Sequence, residues 1–219
     1  MKFTSALVAA VLTASIGGIA IAQGERDYDL PSFDRVDLSA GVMLIADIGG
    51  PQSITVTTDG GDFSDFKINV KNGELNVSRK WNKLSWHSKK AKYKVIVTAP
   101  SLEGVEASSG SHAKISNVDS EKFYVDLSSG AHVSVEGRCD DCNLDSSSGA
   151  SLRGKMLTCD NANIDVSSGG RIEVNVVSSL LADASSGGTA YVYGDPNQRN
   201  IDRSSGGRVK LVTYAQAKR

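Results

Sequence analysis

Aromatic side chains are scarce: Phe, Trp and Tyr supply 6% of the 219 residues, too few for the ring-filled core of a conventional sandwich. Proline is scarcer, with 4 residues and none between Ser101 and Asp195, as expected where every amide donates to a neighbouring strand. Net charge is small at -1, so global charge implies no polyanionic partner. No segment beyond the N-terminus is apolar for long enough to span a bilayer. The 22 glycines, 40% hydrophobic and 22% charged residues exclude collagen-like, low-complexity and disordered chains. No catalytic centre stands out.

The N-terminus carries Lys2, an apolar stretch from Ala6 to Ile21 and an Ala20-Ile21-Ala22 cleavage site, the pattern of a secretory signal peptide over residues 1–22. Thr13, Ser15, Gly17 and Gly18 make it a poor permanent anchor, and no cysteine lies at the cleavage point to accept a lipid. Residues 23–32 read as a linker, 33–212 as one domain and 213–219 as a tail. Without the leader, 23 Lys and Arg face 25 Asp and Glu. Seven of those cations fall between Arg79 and Lys94 with no acid among them, so one basic segment sits on an acidic body.

A repeat dominates the rest. Ser-Ser-Gly ends six similar hexapeptides, with glycines at 110, 130, 149, 169, 187 and 206, spaced by 18 to 20 residues. A degraded seventh copy is Val36-Asp37-Leu38-Ser39-Ala40-Gly41. The fifth residue before each Gly is Val105, Val125, Leu144, Ile164, Ala182 or Ile201, and the third after it is Ala113, Val133, Leu152, Ile172, Ala190 or Val209. Both columns are apolar. The fifth residue after the Gly adds Ile115, Val135, Val174, Val192 and Leu211, so the rhythm is the two-residue period of a strand. A unit of about 19 residues cannot enclose a core alone, but stacked units bury the same columns against each other. The fold expected is an all-β, right-handed parallel β-helix, or β-solenoid, its hand taken from the crossover rule. Residues 33–100 read as an irregular N-terminal part with strands at Val42–Ala46, Ser53–Thr57, Phe66–Val70, Glu74–Ser78 and Tyr93–Thr98. Asn72-Gly73 marks a tight hairpin excursion that covers the end of the stack.

These features resemble the putative auto-transporter adhesin, head GIN domain family. The resemblance is carried by Gly41-Val42, Lys71-Asn72-Gly73-Glu74-Leu75, Val97-Thr98-Ala99-Pro100-Ser101-Leu102, the serial Ser-Gly turns and Tyr193-Gly194-Asp195-Pro196. The turns here read Ser-Ser-Gly-Gly or Ser-Ser-Gly-Ala, where the family has a Ser-Gly-Ser-Gly-like turn. The resemblance implies a β-helical fold, an exported or surface location and adhesion as the work, and it brings no catalytic residues.

Several side-chain sets are candidates for chemistry. Glu106, Asp126, Asp145, Asp165, Asp183 and Asp202 stand four residues before each Gly and form an outward carboxylate ladder on stacking. Each either shares a divalent cation such as Ca²⁺ or accepts bonds from serine hydroxyls and turn amides. His112 and His132 recur in adjacent turns without further ligands, and the repeated serines read as ladder bonding rather than one activated nucleophile. Cys139 and Cys159 share a register one turn apart, which favours a disulfide between them; Cys139 with Cys142 is the alternative. The candidate ligand-binding residues are Arg79, Lys80, Trp81, Lys83, Trp86, Lys89, Lys90 and Lys92, which combine cations with aromatic faces. They suit an anionic glycan or an envelope lipid headgroup, or they cover the solenoid. Nucleic acid does not fit an exported chain.

The sequence thus reads as an exported, non-enzymatic β-helix protein without metal or cofactor, an adhesin or envelope-associated binding module located in the periplasm, at the outer membrane or at the cell surface. Membrane association would be peripheral. The rival readings are a carbohydrate-active enzyme of polysaccharide-lyase type and a purely structural periplasmic protein.

Overall fold

A computed structural model describes residues 24–60, 62–80 and 91–212; the expected signal peptide, the C-terminal tail and residues 81–90 of the basic segment lie outside the described residues. The described residues form fifteen strands and no helix. The first eight are β1 (Glu25–Asp27), β2 (Arg35–Leu38), β3 (Met43–Ile48), β4 (Ser53–Thr58), β5 (Phe66–Lys71), β6 (Glu74–Arg79), β7 (Tyr93–Ala99) and β8 (Gly104–Ala107). Four long strands follow, β9 (His112–Leu127), β10 (His132–Ser146), β11 (Ser151–Val166) and β12 (Arg171–Ala184), then β13 (Thr189–Tyr193), β14 (Gln198–Arg203) and β15 (Arg208–Val212).

The alternation read from the sequence becomes the parallel stack of a β-solenoid, and each long strand is one full coil. Val105 pairs with Val125, Val125 with Leu144, Leu144 with Ile164 and Ile164 with Ala182, so one apolar column runs vertically through the core. Val105, Val125 and Leu144 are wholly buried. Each coil bends midway, where the alternation slips: Asn117 adopts φ 61° and Gly137 φ 140°, and the register shifts beside them. The bend folds every coil so that its two halves form two faces of one continuous 15-stranded sheet, called the first and the second sheet below. The first half joins the order β1-β4-β7-β3-β9-β10-β11-β12-β13-β15, and the second half joins β5, β6, β2, β8 and β14.

The Ser-Ser-Gly corners explain their own composition. Ser109 and Gly110 take φ 53° and 70°, two consecutive left-handed residues, and Ser111 N–H donates to the Ser108 carbonyl at 3.1 Å to close the turn. Gly110 N–H donates to the Ser129 carbonyl of the next coil, also at 3.1 Å. The ladder linking successive corners is therefore backbone; the paired repeat serines add no hydroxyl bond to it among the described residues, and Ser111 Oγ donates to the Leu38 carbonyl at 3.1 Å. Ala40 and Gly41 repeat the same pair of angles at 61° and 74°, and Asp37 pairs with Glu106, so the degraded seventh copy is a working corner.

The N-terminal part departs from a plain stack. Asn72-Gly73 closes the β5–β6 hairpin as predicted, and β6 then pairs in parallel with β2. However, β4 runs antiparallel to β7 and β1 antiparallel to β4, so this end finishes in antiparallel strands. Tyr28, Phe63, Phe66 and Tyr93 cluster there with ring centroids 4.7 to 6.3 Å apart, filling with rings the space that aliphatic columns fill elsewhere.

Candidate functional site: two outer faces of opposite charge

Positions that alternate outward inherit the same vertical register as the core, so side chains of one kind can line up. On the second sheet Asp37, Glu106, Asp126, Asp145, Asp165, Asp183 and Asp202 are consecutive partners, one rung longer than the six-copy ladder read from the sequence. Among the described residues one hydrogen bond reaches these carboxylates: the Tyr124 hydroxyl donates to Asp126 Oδ2 at 3.1 Å. Serine hydroxyls do not. Burial raises the Asp145 carboxyl above its ordinary range, with Asp126 and Asp165 adding to the effect. Burial followed by Glu74 does the same for Asp37, and burial followed by Glu74, Asp37 and Asp126 for Glu106. Burial and the Asp126 carboxylate push the Tyr124 phenol up to about 12.

Beside the ladder runs a groove of about 1130 Å³, floored by Phe123, Cys142, Ala162 and Leu180. Its wall is polar and cross-linked between coils: Asn161 Nδ2 donates to Asp141 Oδ1 at 2.9 Å, Ser179 Oγ to Asn161 Oδ1 at 2.6 Å and Asn163 Nδ2 to Asn143 Oδ1 at 3.2 Å. The groove lies along the second half of successive coils, and alternation, which reports only which way each side chain points, does not reveal it.

The first sheet has the opposite character. Arg153, Glu173, Tyr191 and Lys210 form one outward column, with Arg171, Thr189 and Arg208 beside it. The Arg171 guanidinium lies 4.1 Å from the Tyr191 ring centre and the Lys210 ammonium 5.0 Å from the same ring, while Lys155 lies 4.9 Å from the Tyr193 ring. Two tyrosine rings thus gather three cations. Bonds from Arg171 and then Lys210 lower the Tyr191 phenol below its ordinary value. Towards the N-terminal end the same sheet exposes Met43 (45%), Ile45 (39%) and Ile96 (39%), large apolar side chains that an ordinary solvated face would not group. Ile45 pairs with both Ile96 and Lys114, and Met43 with Lys94 and His112, so cations border the apolar patch. The His112 and His132 rings, 5.2 Å apart, lie between the patch and the basic column.

The basic segment read from the sequence is only partly described. Trp81, Lys83, Trp86, Lys89 and Lys90 lie outside the described residues. Lys80 and Lys92 are exposed. Arg79 makes a two-pronged contact with Asp65 Oδ2, at 3.2 Å from Nε and 2.7 Å from Nη2, and covers the Tyr93 ring at 5.2 Å. Tyr93 also donates to Asp65 Oδ1. Burial pushes the Asp65 carboxyl up, but the bonds from Tyr93 and Arg79 outweigh it and hold the group below the usual carboxylate range. Cys139, Cys142 and Cys159 are the one group among the described residues whose ligand atoms, within 4.8 Å of one another, are close enough to share a metal. The basic tyrosine face was not anticipated from the sequence. Its cations are spread from Lys94 to Lys210, one or two per coil, and the available signal was the outward column Lys114, Arg153 and Lys210.

The architecture has relatives among solved structures. A "putative adhesin" from Bacteroides fragilis is 18% identical, with 86% of this chain and 96% of that chain covered and a TM-score of 0.58. A "putative lipid binding protein" from Parabacteroides distasonis is 17% identical over 86% of this chain and 96% of the other, with a TM-score of 0.50. No curated protein matches the chain. The family "Putative auto-transporter adhesin, head GIN domain" matches residues 32–196, three quarters of the sequence, and the chain belongs to that family.

Proposed function

We propose that this protein is an exported, non-enzymatic binding module of the cell envelope that lays its first sheet on an anionic surface. The observation that carries this reading is the juxtaposition of Met43, Ile45 and Ile96 with Lys94 and Lys114, continued by Arg153, Lys155 and Lys210, while Arg171 is paired with Glu173. Apolar side chains that enter the headgroup boundary beside cations that meet phosphate are the ingredients of peripheral lipid binding. Each Lys or Arg near an anionic lipid surface contributes about 1 kcal/mol. The lipid-binding description of the Parabacteroides distasonis relative and the adhesin class of the family support the same reading. The columns repeat from coil to coil, which favours many weak contacts over one activated group.

Co-sedimentation with vesicles of phosphatidylglycerol in phosphatidylcholine tests it, beside an array of anionic glycans. The wild-type chain is expected to bind the anionic vesicles and to leave neutral ones in solution. Arg153→Glu with Lys210→Glu should weaken binding at least tenfold, and Ile45→Asp with Ile96→Asp should abolish insertion. Binding to the array alone would move the ligand to a glycan. Silence on both supports would overturn the reading.

A carbohydrate-active enzyme is the second reading, favoured only by the polar groove and its carboxylates. Incubation with acidic polysaccharides and calcium, followed for unsaturated products, decides it: a rise in absorbance that Asp145→Asn abolishes would establish the enzyme.

A further inference from the structure

The groove on the second sheet is built largely from amides. One outward column runs Tyr124, Asn143, Asn163, Leu181 and Asn200, and Asp141, Asn161 and Ser179 stand in register beside it. Charged lining residues gather at the two ends, with Arg35, Glu103 and Lys122 at one and Arg199 at the other. Between those ends Asp141 is the single charge in the lining, and it already accepts from Asn161.

An amide offers two N–H donors and a carbonyl with two lone pairs. Asn161 gives one N–H to Asp141 and accepts from Ser179, and Asn163 gives one to Asn143. Among the described residues Asn143 therefore keeps both N–H groups, Asn161 and Asn163 keep one each, and the Asn163 carbonyl keeps both lone pairs. All three side chains are exposed. Their mutual bonds hold them in place before a ligand arrives, which lowers its ordering cost. Donors and acceptors set side by side match hydroxyl groups, which are both at once.

Two apolar surfaces flank these amides. The Tyr124 ring is half-buried and tied by its hydroxyl to Asp126, and a Cβ on its partner Gly104 would stand 3.3 Å from Tyr124 Cβ and 3.5 Å from Cδ1. The missing side chain at Gly104 lets the ring lie close over that coil. Leu181, at the other end of the amide pair, is 51% exposed. Apolar contacts with a few placed polar groups are what a sugar ring needs, since it has C–H faces and a hydroxyl rim.

Length and charge narrow the ligand further. From Gly104 to Asn200 the column crosses five coil steps, roughly 24 Å at about 4.8 Å per step. An extended β-linked glycan advances by close to one such step per ring, so successive rings meet equivalent positions on successive coils. The adjoining carboxylate ladder repels an acidic chain. We infer that the groove binds a neutral, hydroxyl-rich linear glycan, one ring to a coil, without cleaving it. This site is separate from the first sheet and does not rest on the lipid reading.

Calorimetric titration of the full chain with neutral β-linked glucose, mannose and N-acetylglucosamine oligosaccharides of increasing length tests the inference. Affinity for at least one series should rise with each added ring, level off at about five or six rings and hold in high salt. Asn143→Ala with Asn163→Ala should weaken it at least about tenfold while vesicle co-sedimentation stays at the wild-type level. Failure of this site and failure of the lipid reading are thus distinguishable. The recovered glycan should keep its length. No binding in any series, affinity independent of length, or loss of binding in high salt would overturn the inference, as would an amide variant that binds like the wild type. Shortened chains would make the groove an active site and overturn it too. The length and salt series use the wild-type chain, so they decide the matter even if circular dichroism shows that the variant fails to fold.

Discussion

Asp126 and Asp145 face solvent as direct partners on successive coils, and the Tyr124 hydroxyl that reaches Asp126 leaves Asp145 without a donor. Two like charges at one rung of separation repel by roughly 1 kcal/mol in high dielectric, and partial burial strengthens the effect. Asp145 has such a neighbour on each side. Burial followed by those two charges raises its carboxyl, so the folded state binds the proton more tightly than the unfolded chain does. The contribution to stability is therefore unfavourable above the folded pKa and fades as pH falls through it. Asp145→Asn should raise the melting temperature at pH 7 by a few degrees, and the gain should disappear below the ordinary carboxylate range and shrink in high salt. Melting curves of the two chains across pH and salt check this; an unchanged or lowered Tm at pH 7 would contradict it.

Neighbouring glycines at one corner should behave differently. Gly187 adopts φ +77° with open space where a Cβ would stand, whereas a Cβ on Gly188 would lie 2.3 Å from the Val166 carbonyl oxygen. Gly187→Ala meets only the left-handed penalty, about 1–2 kcal/mol. Gly188→Ala must push two coils apart at their ladder, so its loss should exceed that of Gly187→Ala. Urea denaturation of both variants measures the difference, and equal losses would count against the tight stacking of the later corners.

Much of this was legible because repetition turns register into letters. The columns through Val125, Leu144 and Ile164, the Asn72-Gly73 hairpin and the carboxylate ladder all followed from spacing alone. The basic tyrosine face did not, since Arg153, Arg171 and Lys210 occupy outward positions where each coil carries a different residue. Contiguous charge between Arg79 and Lys94 was conspicuous in the sequence, yet Arg79 is occupied with Asp65 and Tyr93. The groove was hidden for another reason: it is a concavity shaped by residues of several coils, from Tyr124 to Asn200, whereas alternation reports only which way each side chain points.

Ser120 offers a stabilising substitution. It shares its position in the stack with Cys139, Cys159 and Val176 on the following coils, and its buried Oγ has no hydrogen-bond partner. An unsatisfied buried hydroxyl costs about 1–3 kcal/mol. Ser120→Ala removes the polar atom and leaves only a small void, so it should hold or raise stability by up to about 1 kcal/mol. A clear loss in chemical denaturation would mean that the hydroxyl has a partner after all, such as an ordered water.

The Asp65 cluster makes the opposite prediction for pH. Burial raises this carboxyl, but the bonds from Tyr93 and Arg79 win and lower it, so the stabilisation is present above the unfolded carboxylate pKa and is lost as pH falls through the lower folded value. The Arg79 and Asp65 side chains are 15% and 29% exposed, which limits screening by solvent. Asp65→Asn keeps the size and removes the charge. Hydrogen bonds to a charged group contribute about 1.5–3 kcal/mol, so a loss of that order is expected at pH 7. Because Tyr93 is also the first residue of β7 and stacks on Phe66 at 4.7 Å, the damage should appear first at the N-terminal end. Hydrogen exchange on Asp65→Asn should show faster exchange in β5 and β7 with β10 and β11 unchanged, and uniform loosening of the whole stack would refute a local anchor.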